Sequence, residues 1–267
     1  MCKALSLLDF FSGYDQVPLD PKSRDLTTFA TPIGLLRMCT IPQGATNSVA
    51  QFQRIMTRVL GELIPDYARA FLDDITVRGP TTTYGGQDMP GLPGVRRYIG
   101  EHLQSIDKVL VNVELAHCTI KAYKSHWCKP SCTIVGYVCG TNGRTPEEAK
   151  VIKITEWRKC NNITDIKSFL GIVVYYRIWI PEYAMVSEPL TMLLRKNVPF
   201  VWGPAQEKAM ASLKQAITSR PILITIQYGP GCGLIILAVD AFITGWGAVL
   251  IQIIEERRHP ARYESGI

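Results

Sequence analysis

The sequence predicts an α+β fold that opens on a split βαβ, ferredoxin-like sheet, and three observations carry the prediction. Apolar runs of strand length alternate with apolar stripes at helical spacing. Their order is strand, helix, hairpin, helix, strand. Clusters of Gly, Pro, Asn and Asp stand at the junctions. This first region runs over residues 1–143. Residues 144–220 then read as successive helices, and from Arg220-Pro221 onward, over 221–267, the signal returns to strand.

Taken in order, residues 4–8 form a short apolar run ending on Asp9, and residues 35–41 form another; Ser12-Gly13 and Pro32-Ile33-Gly34 supply turns beside them. Beyond Pro42-Gln43-Gly44, any of Thr46, Asn47 and Ser48 can cap a helix, because a short side-chain oxygen satisfies the free N–H groups of a first turn. Val49, Phe52, Met56, Val59, Leu60 and Leu63 share one face of that helix, which should lie on the sheet. Residues 68–72 and 75–78 read as strands around a tight Asp73-Asp74 turn, followed by a loop rich in Gly, Pro and Thr over 79–94. A second amphipathic helix carries Ile99, Leu103, Ile106 and Leu110, and residues 132–138 supply a further strand. Thr145-Pro146-Glu147-Glu148 has the form of a capping box with proline at the first helical position, predicting a helix to about Trp157. Thr164 caps a stretch reaching Trp179, residues 188–195 follow, and residues 204–218 place Met210, Leu213 and Ile217 on one side. The apolar segment 232–254 is long enough to cross a bilayer. Asp240 in its middle is costly in lipid, and the Gly245-Trp246-Gly247 break fits two strands joined by a turn.

With 267 residues, 47% of them hydrophobic, the chain can bury a core, which supports a globular class over a disordered one. A net charge of +6 suits a polyanionic partner, although so small an excess also occurs in proteins that never meet nucleic acid. The eight cysteines have no CxxC spacing and no secretory signal precedes them, so reduced thiols in an intracellular compartment, cytoplasmic or nuclear, are expected. His126, Cys128 and Cys132 crowd together with His117 and Cys118 upstream, but the spacing fits no standard zinc pattern and leaves that site open.

Two acidic signals remain: Asp9 at the end of an apolar strand, and Asp73-Asp74 in a turn between two more. A DD turn alone is commonly a solvated hairpin tip. Three carboxylates facing one another would instead repel, and a hard divalent cation relieves that repulsion through oxygen ligands. Two such ions, Mg²⁺ or in its place Mn²⁺, can activate a 3′-hydroxyl and stabilise a leaving pyrophosphate. The split βαβ topology can set the first strand beside the hairpin.

LLDFFSGYDQ, TPIGLLRMCTIPQGATNSVAQFQRIM and FLDDI occur in the order and at roughly the separations of the three central motifs of gypsy-type long-terminal-repeat retrotransposon reverse transcriptases, which the chain resembles. IVGYVCG resembles the primer-grip strand pair, FLGIVVYYRIWIPEYA and FVWGPAQEKAMASLKQAITSRPIL the thumb and connection, and LAVDAFITGWGAVLIQ the opening hairpin of the fused ribonuclease H. The likeness covers nearly the whole chain and is closest to fungal elements. It implies a right-hand polymerase palm over 1–143 (a split βαβ, ferredoxin-like sheet), helical thumb and connection over 144–220, and an incomplete ribonuclease H-like start over 221–267.

By the same resemblance, Asp9 and Asp73 match the metal-binding aspartates and Asp74 the supporting carboxylate, all with Mg²⁺. Tyr14 matches the aromatic under the incoming sugar that would clash with a 2′-hydroxyl; a buried palm tyrosine is the competing reading. Gln43 matches the residue near the nucleotide's 3′-hydroxyl, and Gly44 gives backbone room beside it. Lys124 matches the lysine placed to protonate departing pyrophosphate, with a solvated surface lysine as the alternative. Gly136 and Tyr137 match the primer grip, against simple strand packing. Tyr175, Tyr176, Arg177 and Trp179 have the character to contact a duplex, yet aromatics at this spacing are more often core. Asp240 matches the first ribonuclease H aspartate and stands alone, so that activity is not expected. The implied partners are an RNA or DNA template-primer and deoxynucleoside triphosphates, with no membrane. Only eight residues precede Asp9, so the resemblance implies that the fingers, like the rest of the ribonuclease H and an integrase, would belong to missing polyprotein segments. The rival reading is a retroelement fragment without catalysis, inert or weakly nucleic-acid-binding; a nucleotide cyclase on a similar sheet is disfavoured by PQG followed by TNSVAQFQ.

Overall fold

The computed structural model describes residues 2–219, 221–228 and 231–267, and its contacts divide the chain into two compact units, Met1–Ile134 and Val135–Ile267. Arg220, at the junction expected between the helical and the last strand region, lies outside the described residues.

The first unit is built on β1 (Leu5–Asp9), β4 (Ala68–Phe71), β5 (Asp74–Arg78) and β8 (His126–Lys129), with β2 (Phe29–Thr31), β3 (Gly34–Leu36), β6 (Asp88–Met89), β7 (Leu92–Arg96) and β9 (Ser131–Ile134) as smaller strands. The main sheet runs β4-β5-β1-β8. That is the expected ferredoxin-like order, antiparallel at each junction. Beside the short α1 (Pro21–Arg24), two long helices, α2 (Ser48–Leu60) and α3 (Arg97–Leu115), supply the second layer. Phe52, Met56 and Leu60 of α2 fall at successive turns and are fully buried with Leu8, Ile75 and Val77 of the sheet. Each such side chain contributes about 1.5–3 kcal/mol on burial, and the helix ends at Gly61, whose φ of 50° admits the left-handed turn a Cβ resists.

Five expectations need correction here, beginning with residues 132–138, which are no single strand: β9 ends at Ile134, and β8 closes the main sheet instead. Residues 35–41 are no core strand: β2 and β3 pair as a separate hairpin whose Phe29, Ile33, Leu35 and Leu36 are exposed. The loop over 79–94 contains the hairpin β6–β7. On α3 the buried face is His102, Ser105, Ile106, Val109 and Val113, while Leu103 is exposed, because Ser6 offers His102 a hydrogen-bond partner inside the core. Val49, expected on the buried face of α2, is also exposed.

The second unit contains β10 (Tyr137–Gly140), β11 (Gly143–Pro146), α4 (Glu148–Thr155), α5 (Ile163–Val173), α6 (Tyr183–Met192), α7 (Pro204–Thr218), β12 (Ile235–Phe242), β13 (Gly245–Ile254) and β14 (Arg257–Gly266). Its core gathers Ile154, Phe169, Val173, Tyr176, Trp179, Leu190 and Leu213. The capping box at Thr145 does not form, since Thr145 and Pro146 are held in the β10–β11 ladder opposite Val138 and Tyr137, and the helix starts two residues later than the box requires. Asn162, not Thr164, caps α5, its Oδ1 accepting from Asp165 N–H at 2.9 Å. The apolar segment around Asp240 folds as antiparallel β12 and β13, with the turn at Ile243-Thr244, ahead of the expected glycines. Among the described residues, no helix is long and apolar enough to cross a membrane.

Candidate active site

Strand alternation and ladder register build this site. Leu8 and Ile75 point into the core and are opposed across the β1–β5 ladder, so the next pair, Asp9 opposite Asp74, projects to the other face. Directly opposed residues of an antiparallel pair hold their Cβ atoms roughly 4.5–5.5 Å apart, which makes neighbours of carboxylates 65 positions distant in sequence. Asp73 occupies the turn just before β5, and its carbonyl accepts a hydrogen bond from Phe10 N–H at 3.3 Å. Lys124 closes the group, its Nζ 4.0 Å from Asp9 Oδ2.

The electrostatics follow from this crowding. Burial holds the Asp74 carboxyl above the usual carboxylate value, the negative charges of Asp73 and Asp9 push the same way, and the Lys124 ammonium opposes them. Among the described residues no three His, Cys, Asp or Glu side chains converge closely enough to hold a metal ion. The three carboxylates nevertheless fit a hard divalent cation by donor chemistry and by the repulsion it would relieve.

The turn is held by Gln53 of α2, whose Nε2 donates to Ala70 O at 3.1 Å and whose Oε1 accepts from Leu72 N–H at 2.8 Å. This two-point clamp fixes Leu72 at a φ of 54°, an uncommon conformation for a branched side chain. Sequence reasoning passed over Gln53; the available signal was a polar residue between Phe52 and Met56, inside an apolar stripe.

Tyr14 lies in a 3₁₀ turn over Gly13–Gln16, its ring stacked on Phe52 at 4.6 Å. Gly13 makes that approach possible, since a Cβ there would stand 2.8 Å from Phe52 Cζ. Gln43 and Gly44 lie in the exposed loop before α2, with Gly44 at a φ of 93°. Among the described residues no hydrogen bond joins Tyr14 or Gln43 to the carboxylates.

Gly136 and Tyr137 belong to the second unit. Gly136 adopts a φ of 75°, and a Cβ on it would run into Lys150 Nζ. Tyr137 stacks on Tyr175 at 4.9 Å and donates its hydroxyl to Tyr175 O at 2.9 Å. Burial, then that hydrogen-bond partner, raises its phenol far above the ordinary value, and burial pushes Tyr176 up to about 12. Tyr176 and Trp179 are wholly buried core, Tyr175 is partly exposed, and Arg177 pairs with Glu264 at 3.2 Å. Asp240 is exposed on β12 opposite Gly247.

A family model described as reverse transcriptase (RNA-dependent DNA polymerase) matches residues 1–139, and one described as RNase H-like domain found in reverse transcriptase matches residues 202–266. The chain is 26% identical over 97% of its length to the Transposon Tf2-3 and Tf2-7 polyproteins of Schizosaccharomyces pombe, and it spans 18% of the length of those relatives. Its fold matches the foamy viral protease-reverse transcriptase in complex with double-stranded DNA at a TM-score of 0.80, with 18% identity over 100% of this chain and 43% of that one. The same viral protein in complex with an RNA/DNA hybrid matches at 0.77, with 19% identity over 99% of this chain and 33% of that one. The family match covers more than half of the residues and the sheet has the palm-like order that goes with it: this chain belongs to the reverse transcriptase family.

Proposed function

We propose that the chain carries out RNA-directed DNA synthesis, adding deoxynucleotides to the 3′-end of a primer paired with an RNA or DNA template. The observation that supports this best is the pairing of Asp9 with Asp74 across the β1–β5 ladder, with Asp73 in the adjoining turn and Lys124 beside Asp9. Asp9 and Asp73 would hold two Mg²⁺ ions, with Asp74 in support and Mn²⁺ able to substitute. Ions bound there supply charge neutralisation for the attacking 3′-oxygen and the departing pyrophosphate. Lys124, as an ammonium beside the carboxylates, donates a proton to the leaving pyrophosphate oxygen. Tyr14, backed by Phe52, presents a rigid ring edge that rejects a 2′-hydroxyl, and Gln43 with Gly44 borders the sugar. In the second unit, Gly136 and Tyr137 hold the primer strand, and residues 1–143, 144–220 and 221–267 serve as palm, thumb with connection, and ribonuclease H-like start.

Extension of a labelled primer on an RNA template with Mg²⁺ tests the reading. Product formation that Asp73→Ala reduces by about a thousandfold or more, the scale of losing an essential charge-stabilising group, supports it. A folded chain that binds primer-template and extends nothing under Mg²⁺ or Mn²⁺ favours instead a non-catalytic nucleic-acid binder.

A further inference from the structure

Asp9 and Lys124 approach one another because the segment 119–125 is laid along the end of β1, and two side chains outside the carboxylate group fasten it there. Gln16 reaches across the seam: its Nε2 donates to Thr119 O at 3.1 Å and to Phe11 O, and its Oε1 accepts from Thr119 N–H at 2.5 Å. Ser125, almost fully buried, accepts at its Oγ from Asp9 N–H at 3.3 Å and donates to Lys121 O at 3.0 Å. Between them the backbones pair directly, Phe11 N–H to Thr119 O at 3.0 Å and Lys121 N–H to Asp9 O at 2.7 Å. A segment of this kind, with a single 3₁₀ turn over Ala122–Lys124 and no long strand of its own, opens locally at small cost unless such bonds hold it.

We propose that Gln16 and Ser125 are positioning residues that staple segment 119–125 to the Asp9 end of β1 and so set the Lys124 ammonium beside the Asp9 carboxylate. The proposal rests on the nucleotidyl-transfer reading. It predicts that the staple acts on the reaction through Lys124 and leaves nucleotide affinity to other groups. A general acid contributes only while its proton lies within reach of the leaving oxygen, so a staple that frees Lys124 mimics its removal.

The test is a double-mutant cycle with a second readout that needs no catalysis. Gln16→Met and Ser125→Ala should speed amide exchange at Asp9, Phe11, Thr119 and Lys121 by about tenfold or more, with the β4–β5 amides unchanged. Each should lower the single-turnover rate of primer extension by about the factor that Lys124→Met does, on the order of tenfold to a hundredfold, with nucleotide KM within about twofold. In the Lys124→Met background neither should cost anything further, and Ser125→Thr, which keeps the hydroxyl, should restore the rate. Losses that multiply in full with Lys124→Met, or a rise in KM alone, would overturn the positioning role. If the parent chain extends no primer, the polymerase reading fails on its own, and unchanged amide exchange in both variants then overturns the staple.

Discussion

Asp9 and Asp240 are both strand-borne aspartates in antiparallel sheets, yet the two sheets treat them differently. Asp9 closes β1 opposite Asp74, with Lys124 at 4.0 Å and the Gln53-clamped turn alongside. Asp240 sits mid-strand on β12, exposed, with Gly247 across the ladder. In the sequence each is an acid beside strongly apolar residues. What separates them is the partner that register supplies: a second carboxylate in one sheet, an absent side chain in the other. Exchanging the charge at each position should therefore give opposite outcomes. Asp9→Asn is expected to lower primer extension by about a thousandfold or more, while Asp240→Asn leaves extension within about twofold. Equal losses at both positions would dissolve the distinction.

The packing behind the two sheets differs in the same direction. Phe52 is wholly buried, with Tyr14 stacked on it at 4.6 Å and Phe10 edge-on at 6.4 Å. Trp246, on β13 of the other sheet, keeps 43% of its surface exposed. Phe52→Ala should cost about 3–5 kcal/mol in the first unit, read from urea unfolding by a probe in that unit, and Trp246→Ala under about 1.5 kcal/mol. A Phe52→Ala protein of nearly unchanged stability would mean that the palm core repacks around the gap and that Tyr14 needs no such backing.

Much of this was legible in the residues, and the failures share a cause. The Asp9 and Asp73-Asp74 signals, the order of elements and the span of α7 could be read because strand alternation and helical periodicity are local. The buried face of α3 could not. Counting apolar residues selects Leu103 and Leu110, whereas the fold turns His102 and Ser105 inward, and the Ser6 hydroxyl that makes this tolerable is 96 positions away. Gln53, Gln16 and Ser125 escaped notice for the same reason: each is an ordinary polar residue until its backbone partner, 17 to 116 positions distant, is known. At Thr145-Pro146 a good capping signal lost to ladder pairing with β10.

His102 gives a third contrast between the units. It is wholly buried, 2.9 Å from Ser6 Oγ through Nε2, and burial lowers its pKa below the ordinary 6.5, outweighing the Arg78 backbone group that pushes the other way. A base with a depressed folded pKa stays neutral while the unfolded chain takes up a proton. Stability is thus fully present above 6.5 and is lost as pH falls from there toward the folded value. The first unit should soften in this window, by no more than about 1.4 kcal/mol per pH unit, the limit for one proton. His102→Gln should flatten that slope; the same slope in the variant would assign it to other groups.

The smallest expected effect bears most directly on whether the carboxylate group is built for a cation. Asp74 is a carboxylic acid whose folded pKa is raised above 3.8, first by burial and then by the charges of Asp73 and Asp9. Within the window between 3.8 and that raised value the folded chain binds more protons than the unfolded one. Stability therefore falls as pH rises through the window, and at neutral pH the full penalty is present. Asp74→Asn removes a charge that the fold resists, so in metal-free buffer at pH 7 it should raise the unfolding midpoint. The gain is under about 1 kcal/mol because the group is only partly shielded from water. It should vanish as pH falls below 3.8, where the parent carboxyl becomes neutral in both states. Mg²⁺ should reverse the ranking: a cation that relieves the repulsion stabilises the parent in proportion to its binding, and the variant less. A residue kept for packing alone would behave otherwise, since its replacement would lower stability at every pH and Mg²⁺ would not distinguish the two proteins. Asp240→Asn, exposed and opposite a glycine, should shift the midpoint by less than about 0.5 kcal/mol under either condition. A midpoint lowered by Asp74→Asn at pH 7 would show that Asp74 makes a stabilising contact, and the repulsion argument for a cation at this end of the sheet would then fall.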